Sequence, residues 1–107
     1  MTDHEILVKA RNLLPGHWTQ GNGESPGTFC SMGALVRAVT DRPFEVCDTD
    51  QYVRAALALA RAVGHQYADA VVAFNDTEGR TEAEVLGMFD RAIEATAPDT
   101  TKEGATA

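Results

Sequence analysis

The chain has 107 residues and a formal net charge of -7, with a pI near 4.7. That length fits one domain, and a composition of 44% hydrophobic and 23% charged residues is ordinary for a globular protein and too apolar for a disordered one. Lys and Arg total 9 and are scattered singly, so no basic stripe exists to neutralise phosphates. Direct nucleic-acid binding is not expected, and an anionic membrane surface should repel the chain.

No apolar run approaches the roughly 20 residues of a membrane span, and the start, Met1-Thr2-Asp3-His4-Glu5, is acidic where a signal peptide is basic. The two cysteines, Cys30 and Cys47, are too few for a disulfide scaffold. The expected setting is the cytoplasm.

In chain order, residues 3–14 predict a first helix, with Ile6, Leu7, Ala10, Leu13 and Leu14 on one face, Asp3 as cap and Pro15-Gly16 as stop. Residues 15–28 are rich in Gly, Pro, Asn and Ser and carry the only Trp. They read as a loop long enough to invite a functional explanation. Residues 29–40 predict a second helix, with Thr28 as cap and Gly33 open to close approach by another element. Asp41-Arg42-Pro43 breaks the chain, and residues 44–48 form a short connection. A third, broadly apolar helix is expected from Thr49 to Val63, capped by Asp48 or Thr49 and ended by Gly64. Val71-Val72-Ala73-Phe74 fits either a short strand or a last helical turn, and Asn75-Asp76 then mark a turn. Thr81-Glu82-Ala83-Glu84 is a capping box that opens a final helix with Val85, Leu86, Phe89, Ala92 and Ile93 inward.

The expectation is therefore a mainly α protein: a compact bundle of about four helices over residues 1–96, with a long loop before the second helix and room for one short extended segment near residues 71–74. A disordered tail follows over 97–107.

Three constellations are candidates for chemistry. Cys30 at a helix start feels unpaired N–H groups and the positive dipole end, which favour a thiolate. The order Gln20, Cys30, His65, Asn75 follows that of papain-like cysteine hydrolases (oxyanion donor, nucleophile, base, orienting amide), though the simpler reading is a Cys packed in the core. Trp18 in its Gly-rich loop is either a binding anchor or a pin to the core, the pin being the simpler reading. Asn75-Asp76, with Arg80 in reach of Asp76, form either a recognition loop or an ordinary turn. Trp18, Gln20, Asn75 and Asp76 are the candidate binding residues. His4, His17, His65, Cys30 and Cys47 show no zinc spacing, and no Gly-Lys-Ser/Thr supports a phosphate loop, so no metal or cofactor is expected.

Taken together, Trp18-x-Gln20-Gly21, Cys30-x-x-Gly33-Ala34-Leu35, Phe74-Asn75-Asp76 and Arg80-Thr81-x-x-Glu84-Val85-Leu86 resemble a family of small uncharacterised proteins from actinobacteria and their phages, over about residues 5–95. The resemblance implies an intracellular protein made in an actinobacterial host, a phage gene being one origin, and a single cluster of the Trp, Cys and Asn-Asp positions. It implies no activity.

Three functions follow. The leading one is a small protein-interaction or regulatory module acting on a host or cellular protein, favoured by size, acidity and the lack of an enzyme motif. It calls for an exposed apolar or aromatic patch. The second is a cysteine hydrolase using Cys30, His65 and Asn75 with Gln20. The third is a small-ligand binder, with a pocket of roughly 300 Å³ or more beneath the 16–30 loop.

Overall fold

A computed structural model of the chain describes residues 2–21, 27–40 and 50–97. Among these, five helices form and no strand: α1 (Asp3–Leu13), α2 (Ser31–Thr40), α3 (Asp50–Ala62), α4 (Asp69–Asp76) and α5 (Glu82–Ala95). The mainly helical bundle expected from periodicity is present, with one helix more than expected.

The helix ends are set by local chemistry. α1 is capped by Thr2 rather than Asp3: the Thr2 hydroxyl accepts from the Glu5 N–H, and the Glu5 carboxylate accepts from the Thr2 N–H. The chain then turns through Pro15 and Gly16, where Gly16 takes φ +77° and the His17 N–H reaches the Leu14 carbonyl at 2.8 Å. Pro followed by a left-handed Gly is what a type II turn demands. α3 ends as expected at Gly64. The His65 N–H donates to the Ala60 carbonyl and the Gly64 N–H to the Arg61 carbonyl, the paired bonds of a Schellman end. α5 opens on the Thr81–Glu84 capping box. The expected break at 41–43, the connection at 44–48, the α3 caps Asp48 and Thr49, and the tail beyond Ala97 lie outside the described residues.

The core gathers one face of each helix. Ile6, Leu7 and Ala10 of α1, with Leu14 just beyond it, meet Ala34, Leu35 and Ala38 of α2, Ala55, Ala56 and Leu59 of α3, and Val85, Met88, Phe89 and Ala92 of α5. α1 packs against α2, α3 and α5, and α3 against α5. The inward face of α3 is mostly alanine, which lets its neighbours pack close to its backbone. Val53 of α3 is 42% exposed.

Further expectations need correction. Residues 71–74 are not extended: they lie within α4, which packs on α2 and α3. The extended pairing lies elsewhere, as a single bridge between Trp18 and Phe29. α2 begins at Ser31, not at 29, so Cys30 rather than Thr28 occupies the cap position: its carbonyl accepts the Ala34 N–H at 2.9 Å and its sulfur accepts the Gly33 N–H at 3.3 Å. Gly33 makes room for that sulfur, which would stand 3.3 Å from an added Cβ, and no other element among the described residues comes within 4 Å of that point.

Candidate functional site

The site is organised by α4, a short helix with two different faces. Its inward face carries Val71 and Asn75, both buried. A buried amide requires partners for its oxygen and for both hydrogens, and Asn75, 1% exposed, has them. Its Oδ1 accepts from Trp18 Nε1 at 2.8 Å, from the Ser31 N–H at 2.9 Å and from Ser31 Oγ at 2.7 Å. Its Nδ2 donates to the Thr19 carbonyl at 3.1 Å and to Asp76 Oδ1 at 3.0 Å. The first turn of α2, the start of the long loop and the end of α4 therefore meet on one side chain.

Neighbouring bonds extend this junction. Asp76 Oδ1 also accepts the Gly21 N–H at 2.8 Å. Gln20 Nε2 donates to the carbonyls of Asn75, at 3.2 Å, and Thr77, at 2.7 Å. At its base the loop is closed by Thr19 N–H to the Phe29 carbonyl and Phe29 N–H to the His17 carbonyl. Here its two ends are fixed to each other and to α4.

These contacts also explain why α4 exists. The last carbonyls of a helix lack intrahelical donors. Thr77 Oγ1 donates to the Ala73 carbonyl, Arg80 Nε to the Phe74 carbonyl at 2.9 Å, and Gln20 to the Asn75 carbonyl. Arg80 also stacks its guanidinium 3.6 Å over the Phe74 ring and pairs with Glu84 at 3.3 Å. Asp76 was the expected partner of Arg80. Because Asn75 and Asp76 are helical rather than in a turn, Asp76 is held by Gly21 and Asn75 instead. The Glu84 carboxyl is pushed below its ordinary value by the Thr81 N–H and further by Arg80.

The outer face of α4 is different. Asp69, Ala70, Ala73, Phe74 and Thr77, with His65 and Arg80, line an open groove of about 340 Å³. Its floor is apolar and its margins polar. Tyr67, in the turn leading into α4, is 73% exposed, and Val72 is 46% exposed. By contrast, the crevice where the loop meets α4, lined by Gly21, Cys30, Ser31, Met32, Val72, Asn75 and Asp76, measures about 10 Å³. That is about one water, not a ligand. Residues 22–26, part of the loop expected to cover a pocket, lie outside the described residues, and an open groove lies on the outer face of α4.

Of the sequence-predicted site residues, Trp18, Gln20, Asn75 and Asp76 do come together, and Cys30 adjoins Asn75 and Asp76 across the crevice. His65 does not join them: it is exposed on the groove. Cys30 is a free thiol, half-buried, and the amides of Gln20 and Asn75 are both engaged in holding the loop. The hydrolase arrangement is thus not assembled among the described residues. Sequence reasoning missed Ser31, the buried partner of Asn75, and the groove residues Asp69, Ala70, Ala73 and Thr77. Their helical i, i+4 spacing would have exposed them had residues 69–76 been read as a helix. No cluster of three or more His, Cys, Asp or Glu able to hold a metal occurs among the described residues, and none of their helices is long and apolar enough to cross a membrane.

The profile of a family of unknown function (DUF6197) matches residues 1–95. The chain belongs to that family. The match spans all five helices and the loop before α2. No curated protein and no solved structure matches the chain.

Proposed function

We propose that this member of the family is a protein-interaction module that works in the cytoplasm of an actinobacterial cell, as a cellular or phage gene product, and binds a cellular protein through the outer face of α4. The observation that carries the reading is the open groove of about 340 Å³ over Ala70, Ala73 and Phe74. It lies on a helix whose other face is fixed by Asn75 and whose C-terminal carbonyls are held by Gln20 and Arg80. A surface ordered before binding loses little entropy on association. Tyr67 adds exposed apolar area in the turn before the same short element, as contact surfaces require. An open groove suits a side chain presented by a partner better than a small molecule, which binding sites usually enclose.

The test is site-specific photo-crosslinking in cells that naturally carry the gene. A photoreactive residue replaces Ala73 in the groove or, as control, the exposed Gln51 on α3. The expected result is one adduct of discrete mass from position 73 and none from 51, abolished by excess unlabelled wild type but not by excess Ala73→Trp. No adduct at 73, or the same adducts at both positions, overturns the reading.

A further inference from the structure

The charge around the groove specifies the chemistry of its occupant. Between Gly64 and Glu84 the chain carries Asp69, Asp76, Glu78, Glu82 and Glu84 against Arg80, with His65 as the other basic side chain, so this stretch holds much of the net charge of -7. Arg80 does not offset it toward a ligand. Its guanidinium lies on Phe74, its Nε is bonded to the Phe74 carbonyl and its Nη1 stands 3.3 Å from Glu84. An anionic ligand would find that cation engaged and the Asp69 carboxylate on the groove. Asp69, exposed and lining the groove, is available to a cation. The floor of Ala70, Ala73 and Phe74 accepts an apolar side chain.

Resting on the interaction reading above, we infer that the groove takes a cationic, amphipathic peptide segment of its partner. One large apolar side chain seats on Ala73 and Phe74, and a Lys or Arg beside it faces Asp69. The field of the acidic stretch steers such a segment and sets its orientation, while the apolar contact supplies most of the affinity.

Selection of a random linear peptide library against the intact protein tests this, followed by binding measurements on a synthesised winner. The enriched peptides should carry net positive charge and at least one large apolar residue. Ala73 is exposed, so Ala73→Trp fills the groove without disturbing the core, and it should weaken the winner by about tenfold or more. Ala73→Arg should weaken it further by adding a cation. The Asp69→Asn, Glu78→Gln double variant should cost about fivefold, an amount expected of exposed charge pairs, and added salt should act in the same direction. Enrichment of neutral or acidic peptides that Ala73→Trp still abolishes overturns the cationic inference and leaves the groove as a binding surface. Failure to enrich any peptide, or enrichment of peptides indifferent to both Ala73 variants, overturns the inference together with the reading beneath it.

Discussion

At the scale of single residues, Asn75 is the position whose loss propagates furthest. Replacing it with Ala leaves Trp18 Nε1, the Ser31 N–H and Ser31 Oγ without their acceptor, at a cost of about 3–5 kcal/mol, since each buried donor left unpaired costs on the order of 1–3. In a domain this small that corresponds to a fall in Tm of about 15 °C or more. Asn75→Asp should be at least as harmful, because it turns an acceptor toward the Thr19 carbonyl and the Asp76 carboxylate. Ser31→Ala and Trp18→Phe each remove one donor from an oxygen that keeps two others, and should cost only about 1 kcal/mol each. Thermal and urea unfolding of the four variants checks the ranking. The meeting of Trp18 with Asn75 was legible in the sequence only as a combination of motifs. Ser31 was not, because a serine at a helix start has many local uses and nothing in its neighbours announces a partner 44 positions away.

At the scale of elements, the helices that could be read were those whose ends are written locally. The Thr81–Glu84 box and the Gly64 stop both act where the pattern puts them. α4 could not be read in this way. Its eight residues include one fully buried hydrophobic, Val71, its start has no side-chain cap, and its end is held by Gln20 from far along the chain and by Arg80. Tertiary contacts therefore overrule a valine pair that favours strand. The capping boxes make a prediction of their own. Thr81→Ala should destabilise by about 1 kcal/mol, as loss of an N-cap generally does. Glu5 and Glu84 are each held below the ordinary value of 4.5, chiefly by the backbone N–H of Thr2 and of Thr81 respectively. A carboxyl lowered in the folded state stabilises it above the unfolded value, and that contribution is lost as pH falls through the lowered one. The urea midpoint should therefore drop between about pH 7 and about pH 3. The drop should be smaller in the Glu5→Gln, Glu84→Gln double variant, where neither group can titrate. An equal drop in both proteins would assign the acid sensitivity to other carboxylates.

At the scale of the whole molecule, a four-helix core of α1, α2, α3 and α5 supports a smaller unit made of α4 and the two ends of the long loop. The net acidity of the chain was plain from composition. Its concentration beside a groove was not, because the groove exists only once α4 is helical and Arg80 has folded onto Phe74. The two faces of α4 have separate tasks: the inner face fixes the loop, and the outer face is the proposed binding surface. The described ends of the loop and α4 form one hydrogen-bonded unit. Native-state hydrogen exchange tests that directly. The Trp18 indole N–H and the amides of Gly21 and Ser31, which donate to Asn75 and Asp76, should be protected and should exchange with the same opening free energy as the amides of α4. Exchange of those three groups at the rate of an unstructured peptide, with α4 still protected, would contradict it.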